Sequence, residues 1–320
     1  MKLIVKKVIY LIVMLFIISL ISFLAINLAP NSFFASGELN PNITQESINH
    51  LKEIYGLDKP LYIQFLAWIK NILFLDFGIS FSSGAMVKDE ILARIPITLT
   101  INIISMIIIF ALSLYMGIKS AINQNSWIDK LIGQISLISF SLPSFYLALL
   151  CVLVFGIYLE VLPISGLHDS TLKAGTLSYY IDTAKHLILP IGIIVFGGIG
   201  SLTLYVRSLT IDILKSDYIF FAKARELDSK TILRFYILPN LYPPIITLLG
   251  LSLPGIIGGS VILETIFGID GMGLLFFQSA LSRDYPVIMG ILIIGAFLTL
   301  LGNILADLIL LRLNPSMNYS

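Results

Sequence analysis

The residues best suited to chemistry in this 320-residue sequence are three histidines, His50, His168 and His186, and a single cysteine, Cys151. A histidine beside a nucleophile could act as a base in hydrolysis, and clustered histidines could bind a metal ion. The sequence contains no H-E-x-x-H motif, and the histidines lie outside its long apolar stretches. One cysteine cannot form an intrachain disulfide, and Cys151 lies in an apolar run typical of a packing residue. An intramembrane enzyme is therefore only an alternative interpretation.

No other sequence motif indicates catalysis or ion conduction. The chain lacks G-x-x-x-x-G-K-[ST], so it cannot hydrolyse nucleotide by the P-loop route, and energy must come from a partner. Its apolar stretches carry almost no ionisable residues, whereas secondary transporters place polar groups near the membrane midplane. Neither a selectivity filter nor a ring of charge is visible. We expect no catalytic residue, no bound cofactor and no metal site in this chain.

The composition identifies a membrane protein. Hydrophobic residues make up 57% of the chain and charged residues 12%, and the mean hydropathy is +0.96. A soluble domain carries about 25% charged residues, so this chain has about half the usual number of water-facing side chains. The formal net charge of +1 gives no indication of a nucleic-acid partner, whereas membrane lipid is an expected one.

Six apolar stretches are long enough to cross a membrane as helices, since about 20 apolar residues span the hydrocarbon core. They predict an all-α polytopic membrane protein with six transmembrane helices. The first stretch follows Lys2, Lys6 and Lys7 as in a signal peptide, but its apolar core is too long for one, so we expect it to be retained. The predicted spans are Val8–Ala29, Ile97–Ile118, Leu131–Leu159, Leu187–Val206, Ile245–Phe267 and Val287–Leu311.

Lysine and arginine are distributed unevenly between the short loops, and this asymmetry predicts the orientation. With the N-terminus inside, only Lys173, Lys185 and Arg283 lie in outer short loops. Both termini are then cytoplasmic in a multi-pass protein of the plasma membrane. Twelve lysines and arginines then lie on the cytoplasmic side: Lys2, Lys6, Lys7, Lys119, Lys130, Arg207, Lys215, Lys223, Arg225, Lys230, Arg234 and Arg312.

The long segment between the first two spans, residues 30–96, has helical periodicity of its own. A first run begins at residues 46–47 and ends near Gly56. A second run, built on Leu61, Phe65, Trp68, Ile69 and Ile72, predicts an amphipathic helix on the membrane face or packed on the spans. A cap over the bundle and a docking or gating surface both fit this pattern.

A charged segment, residues 217–240 (DYIFFAKARELDSKTILRFYILPN), separates two long apolar stretches and calls for an explanation. Asp217 can cap a short helix that begins at Tyr218. Asp228 or Ser229 can cap a second short helix that begins just after them. The sequence therefore predicts two short helices in a segment that the lysine and arginine distribution places in the cytoplasm.

A turn near Glu226–Leu227 would join these two helices. Ile219, Phe220, Ala222 and Ala224 give the first helix an apolar surface with small residues, which would let another surface approach its backbone closely. Two interpretations stay open at this point. The segment is either a contact element for a soluble partner or a solvated connector whose charges fix the topology.

The charged segment resembles the EAA loop of ABC-importer permeases, in particular the dipeptide, oligopeptide and nickel permease family. That family has a pattern close to D-Y-x-x-x-A-x-A-K-G-L-S here. Two positions depart from it: Glu226 replaces the turn glycine, so the turn must avoid a positive φ or be strained, and Asp228 replaces a serine that caps equally well. The resemblance implies an ATPase-coupling loop, about residues 208–243, in which the family's pattern falls on Asp217, Tyr218, Ala222, Ala224, Arg225, Glu226, Leu227 and Asp228.

The resemblance covers almost the whole chain. Its weaker motifs occur in the family's order: YGLDKPLYIQFLAWI (55–69), LDFGISF (75–81), SLPSFYLALL (141–150), LPISG (162–166), HLILP (186–190), ETIFGIDGMG (264–273), SRDYPVIMG (282–290) and ADLILLRLNPSM (306–317). Asp270 stands where the family usually has proline. The expected division is a tail and first span (1–29), an extracytoplasmic segment (30–96) and a permease core (97–320).

The resemblance also implies a fold, partners and a function. The fold is that of a type I importer permease in the bacterial inner membrane. Its partners are a homologous second permease, two cytoplasmic ABC ATPase subunits that bind ATP, and an extracytoplasmic solute-binding protein. The implied function is import of a small solute, a di- or oligopeptide in the first interpretation and nickel or a metal chelate in the alternative one.

The fifth predicted span contains candidates for a gate or pore lining. Pro254 would break or kink the helix, which is tolerated in a membrane where the helix lines a cavity. Gly258 and Gly259 suit either a flexible pore-lining helix or close helix packing. Glu264 is a candidate functional acid, but a structural bond to the turn at Ile269–Gly273 is the favoured interpretation.

Overall fold

The computed structural model describes residues 2–28, 59–252 and 255–313, and these residues are mainly helical. Within them, the extended pairing consists of one isolated bridge between Ile79 and Met86. Two π-helical segments, Val152–Tyr158 and Leu233–Ile237, directly follow the short helices Ser144–Cys151 and Ser229–Ile232. The helices are α1 (Lys2–Leu28), α2 (Leu61–Leu73), α3 (Val87–Ile122), α4 (Trp127–Ser141), α5 (Ser144–Cys151), α6 (Leu177–Leu214), α7 (Asp217–Ala224), α8 (Ser229–Ile232), α9 (Leu238–Ser252), α10 (Gly255–Gly258), α11 (Val261–Ile266), α12 (Met272–Ser282) and α13 (Tyr285–Leu313).

Four helical stretches in the described residues are long and apolar enough to cross a membrane: Val87–Ile122, Leu177–Leu214, Ser229–Ser252 and Tyr285–Ile304. A fifth is obtained if the bent pair of Trp127–Ser141 with Ser144–Tyr158 counts as one span. The apolar part of α1 that the structure describes, Ile9–Leu24, is shorter than these four stretches. The all-α polytopic fold is confirmed, whereas the count of six spans stays a prediction.

The predicted span Leu131–Leu159 is not one straight helix, because the chain bends by 100° between α4 and α5. Leu142 is extended, with φ −82° and ψ 126°, and Pro143 follows it as the N-cap of α5. A proline disfavours helical geometry in the residue before it and donates no N–H to the preceding turn. The sequence Leu142–Pro143 therefore sets the bend.

The predicted span Ile245–Phe267 is also interrupted. Helix α9 ends at Ser252, and the short helices α10 and α11 follow it. Gly259 lies between them with φ +64°, a left-handed conformation that ends a helix and that glycine adopts without strain. Pro254, the residue expected to break this span, lies outside the described residues.

The chain divides into two compact units. The first contains the residues up to Thr98 together with Gly271–Leu301, and its core joins Phe77, Val87 and Ile91 to residues of α12 and α13. A Cβ at Gly290 would lie 2.8 Å from Val87 Cγ1, so α13 needs glycine there to approach α3. The rest of this core cluster is formed by Met272, Leu275, Val287 and Ile293.

The helix predicted from Leu61, Phe65, Trp68, Ile69 and Ile72 is present as α2 in this first unit. The Phe65 ring centroid lies 5.7 Å from that of Phe16 and 5.3 Å from that of Phe23, and the Trp68 ring lies 5.8 Å from Phe23. Helix α2 therefore packs its aromatic residues on α1. The earlier run, from residue 46 to Gly56, lies outside the described residues.

A buried aspartate holds the loop after α2 against the turn between α12 and α13. Asp284 has no exposed surface, and its Oδ2 accepts hydrogen bonds from Ser80 Oγ at 2.6 Å and Ser82 Oγ at 2.8 Å. The backbone N–H of Ser82 donates to the same oxygen at 3.0 Å. These bonds hold the loop that contains Ser80 against Asp284, which lies 204 residues later in the sequence.

The second unit contains Leu99–Asp270, and α4 and α6 pack together along their lengths in it. Glycine makes this possible, because a Cβ at Gly200 would lie 2.5 Å from the backbone oxygen of Ser136. A Cβ at Gly117 of α3 would lie 2.6 Å from the Cβ of Val206 in α6. Helices α3, α4 and α6 therefore approach one another closely.

Candidate functional site

The charged segment begins where α6 ends. Ser216, with φ −73° and ψ 150°, is the N-cap of α7, and its Oγ donates to the backbone oxygen of Ile213 at 2.5 Å. The prediction that Asp217 caps a helix starting at Tyr218 is therefore wrong by one residue. Asp217 is the first residue of α7, where its carboxylate interacts favourably with the positive end of the helix dipole.

The second predicted cap is confirmed. Helix α8 begins at Ser229, and Asp228 Oδ2 accepts hydrogen bonds from the backbone N–H groups of Lys230 at 3.2 Å and Thr231 at 3.3 Å. The bonds from Thr231, with a smaller effect from Lys230, lower the pKa of the Asp228 carboxyl below its ordinary value. Because that pKa is lowered, the cap is intact at neutral pH and is lost as the pH falls through the pKa.

The turn between α7 and α8 is located where the sequence predicts it, and it is strained. Glu226 has φ +60°, its N–H donates to the Lys223 oxygen at 2.9 Å, and the Leu227 N–H donates to the Ala222 oxygen at 3.3 Å. This is the left-handed conformation that the family's glycine would adopt freely. For a residue with a Cβ it costs roughly 1–2 kcal/mol.

Replacing Glu226 with glycine should stabilise the hairpin. The strain is removed, part of the gain is offset by the greater freedom of glycine in the unfolded chain, and a net gain of about 1 kcal/mol is expected. Hydrogen exchange of the Leu227 amide should slow by roughly fivefold, at about 1.4 kcal/mol per factor of ten. Glu226→Ala, which removes the charge but keeps the Cβ, is the control and should give no slowing; equal slowing in both variants would contradict the strain argument.

One side of the hairpin, Asp217–Ile232, faces the bundle. Ile219 has no exposed surface and Ala222 is 2% exposed. Both belong to a core cluster with Ile118 of α3 and Val206 of α6, completed by Ile232, Ile237 and Leu241. The expectation that Ala222 presents a small surface to a partner is therefore wrong. Its small side chain instead lies in the core that joins α7 to α3 and α6.

The other side of α7 carries large exposed aromatic residues. Phe220 is 69% exposed and Phe221 is 63% exposed, and their ring centroids lie 5.8 Å apart in an edge-to-face arrangement. Tyr218 is 40% exposed, and Ala224 and Arg225 are also at the surface. The sequence did not single out Phe221, although two adjacent phenylalanines on a short helix cannot both point to the side that holds Ile219 and Ala222.

A second candidate site is an open groove of about 570 Å³ in the second unit, between α3, α6, α9 and α10. Polar groups come from Asn102, Ser201, Tyr205 and Ser252, and none of the described residues that line the groove is charged. Asn102 Nδ2 donates to the backbone oxygen of Ile256 at 2.7 Å, just after the interruption of α9. The apolar part of the lining includes Met106, Ile109, Phe110, Ile194 and Leu248.

None of the described residues predicted to line a pore, namely Gly258, Gly259 and Glu264, lines this groove. It includes Gly255 and Ile256, next to the interruption, but neither Gly258, which ends α10, nor Gly259, which follows it. Glu264 is 4% exposed, and its backbone oxygen accepts the N–H of Ile269 at 2.9 Å. That bond closes the turn after α11 through the main chain, so the structural interpretation of the Glu264 side chain stays a prediction.

An ion pair that the sequence did not indicate joins α4 to α6. Arg207 Nε lies 2.7 Å from Asp129 Oδ1, and Arg207 Nη2 lies 2.8 Å from Asp129 Oδ2. Ser120 of α3 also donates to Asp129 Oδ1. The two charges are 78 residues apart in sequence, so no local spacing could reveal the pair. Among the described residues, no group of three or more histidines, cysteines or acids could hold a metal ion.

The described residues combine long apolar helices, an uncharged groove beside an interrupted helix and a hairpin with exposed aromatic side chains, and the comparison with known proteins assigns this architecture to a class. The chain belongs to the family described as binding-protein-dependent transport system inner membrane component, which matches residues 109–319. The N-terminal part of that family's membrane component matches residues 1–102. The chain is therefore a permease subunit of an ABC importer in the membrane, and the family consists of transport subunits rather than enzymes.

Several relatives match over nearly their full length. The oligopeptide transport system permease protein AppB of Bacillus subtilis is 35% identical over 303 residues, which is 94% of both chains. OppB of Haemophilus influenzae, also an oligopeptide permease, is 33% identical over 100% of both chains. The dipeptide permease DppB of Lactococcus lactis is 32% identical over 98% of both chains.

One solved structure supports the fold. The MetNI methionine ABC transporter, in an inward-facing conformation, contains a chain that matches with a TM-score of 0.53 and 15% sequence identity. The match covers 70% of this chain and 96% of that chain. The likeness establishes a type I importer permease fold.

Proposed function

We propose that this permease imports di- or oligopeptides. The observation that carries the proposal is the near-complete match to permeases named for oligopeptide and dipeptide transport in three bacteria. An uncharged groove supports it, because a path for peptides of varied sequence must accept side chains of either charge. The groove volume of about 570 Å³ falls within the range of about 300–1,000 Å³ typical of small-molecule sites.

The proposed assembly has four kinds of part. This chain pairs with a homologous second permease, two ABC ATPase subunits bind at the cytoplasmic face, and a solute-binding protein delivers peptide from outside. The description of the family as binding-protein-dependent supports the last of these. ATP is bound by the ATPase subunits, and this chain binds no cofactor.

The α7–α8 hairpin is the proposed ATPase-coupling element. Its buried side is fixed to α3 and α6 through Ile219 and Ala222, so it moves with these helices. Its exposed side offers Phe220 and Phe221 to a partner. Closure of the ATPases on ATP would displace the hairpin and bias the bundle between inward-open and outward-open states.

The proposed orientation places the hairpin and both termini in the cytoplasm. Ser229 and Ala174 are both exposed in the structure, and the lysine and arginine distribution assigns them to opposite sides. In a Cys151→Ser background, a cysteine at position 174 should react with an impermeant maleimide in intact cells. A cysteine at position 229 should react only after the cells are opened. Labelling of position 229 in intact cells would reverse the orientation.

Peptide uptake tests the function. The complete complex, reconstituted in vesicles with its binding protein, should accumulate labelled alanyl-alanine when ATP is supplied to the ATPase side. Hydrolysis of ATP should rise when the peptide-loaded binding protein is added. Accumulation of a nickel chelate without accumulation of any peptide would replace the peptide proposal with the metal one.

A further inference from the structure

Three helices of the second unit meet at an ionic cluster that we call the Asp129 clasp (Ser120, Asp129 and Arg207). Arg207 binds both carboxylate oxygens of Asp129, Ser120 Oγ donates to Oδ1, and the backbone N–H of Asn125 donates to Oδ2 at 2.9 Å. Arg207 Nε also lies 3.1 Å from Ser120 Oγ. Asp129 is 6% exposed, so its charge is balanced by Arg207 with little help from water. The clasp joins the end of α3, the first turn of α4 and the C-terminal part of α6.

The clasp lies beside the attachment of the hairpin. The core cluster of the hairpin includes Ile118, two residues before Ser120, and Val206, the residue before Arg207. No residue of α4 is among the described members of that cluster. A force on the hairpin can therefore reach α3 and α6 through this cluster, and it can reach α4 through the packing of α4 on α6.

Helix α4 leads away from the hairpin. It bends by 100° into α5, and α5 packs against α11, the helix that follows the interrupted part of the fifth predicted span. Farther along α4, the contact with α6 includes the close approach of Gly200 to the backbone at Ser136 and a hydrogen bond from Ser139 Oγ to the backbone oxygen of Phe196. Small-residue packing permits close approach but fixes the register of two helices less strictly than a desolvated, two-pronged ion pair.

We propose that Asp129 and Arg207 are positioning residues that transmit displacement of the α7–α8 hairpin to α4 and α5. The proposal rests on the proposed function, because the hairpin is displaced only if ATPase subunits bind it. The arginine fork and the carboxylate hold one relative position of α4 and α6, so a movement imposed on α6 is followed by α4. Without the pair, α6 responds to the ATPases and α4 lags behind it.

The test measures how much peptide is transported for each ATP hydrolysed, rather than how much complex is assembled. The full complex is purified and reconstituted, and peptide uptake is divided by the ATP hydrolysed per assembled complex. Asp129→Asn and Arg207→Gln should each lower this ratio at least about fivefold, the lower end of typical coupling effects. The double variant should be no worse than either single variant, because the residues act as one unit. A merely structural role would reduce the yield of complex and leave the ratio unchanged.

Matched variants keep the experiment decisive. Asp212→Asn removes the same charge from an exposed position on α6 and should leave the ratio unchanged. Arg207→Lys keeps the charge but loses the fork, and Ser120→Ala keeps the ion pair but removes the two hydrogen bonds of the Ser120 hydroxyl, to Asp129 and from Arg207. Both variants should lower the ratio of peptide uptake to ATP hydrolysis by less than Arg207→Gln does. They replace the stronger variants in the test if those variants do not assemble. An unchanged ratio in all clasp variants, with normal coupling in the unmodified complex, overturns this proposal alone. Absence of peptide-stimulated ATPase activity in the unmodified complex overturns the proposed function instead.

Discussion

Replacing both Phe220 and Phe221 with serine should separate the permease from its ATPase subunits without unfolding the permease. The two rings are more than 60% exposed, so removing them leaves no cavity in the bundle. Large aromatic residues dominate the binding energy of protein interfaces, and hot-spot residues contribute about 2 kcal/mol or more each. A loss of about 3–4 kcal/mol would weaken association roughly 100- to 1,000-fold. Co-purification of the ATPase in detergent, followed by a titrated binding assay, measures the loss.

Lys223→Ser is the matched control, because Lys223 is exposed on the same short helix and has a long side chain but no ring. Its loss should weaken association by no more than about fivefold, since exposed charges contribute about 0–1 kcal/mol. If the double phenylalanine variant keeps full ATPase binding, the rings contact lipid or another surface and the docking role assigned to them is wrong. Permease yield and thermal stability should match the unmodified protein throughout.

The docking surface shows how far the sequence alone could go. The residue types and spacing located the charged segment, its turn and one of its caps, because these depend on local sequence and on residues such as Asp228. Which side of α7 faces the bundle depends on contacts with Ile118 and Val206, roughly 100 and 15 residues distant in sequence. Small size suggested that Ala222 faces a partner, whereas its burial shows that it faces the chain's own helices.

The same distinction applies to the membrane spans. Hydrophobicity identified that the chain has several long apolar helices, because hydropathy is a property of composition in a window, but it did not give all their bounds: one span is Ser229–Ser252 and not Ile245–Phe267. It could not identify the 100° bend after Ser141, since the effect of one proline on a helix is not contained in a hydropathy average. Nor could it reveal the Asp129–Arg207 pair, which forms only when distant helices pack.

A charge placed in the groove should have a large effect on which peptides are transported. Ser201 is exposed on α6 and lines the groove, four residues before Tyr205, which lines it as well. If peptides pass along this surface, a carboxylate at position 201 would repel an anionic peptide and attract a cationic one. Two unit charges 6 Å apart at an effective dielectric constant near 20 interact by roughly 3 kcal/mol, before screening by salt.

Ser201→Asp should therefore turn a charge-indifferent permease into a selective one. Uptake of alanyl-glutamate should fall at least about tenfold relative to alanyl-alanine, which needs only about 1.4 kcal/mol of the available repulsion. Uptake of alanyl-lysine should stay equal to that of alanyl-alanine or exceed it. The measurement is competitive uptake of the three labelled peptides by the reconstituted complex, with the binding protein saturated by each peptide in turn so that delivery is not limiting.

Ser201→Asn separates charge from shape, because asparagine has nearly the size of aspartate and carries no charge. It should lower the uptake of all three peptides by a similar factor, if at all. An equal fall of all three peptides with Ser201→Asp as well would mean that position 201 obstructs helix packing and does not face the solute. Selectivity that follows the sign of the peptide charge would instead place the path along α6, because a single charge discriminates between solutes only at short range in water.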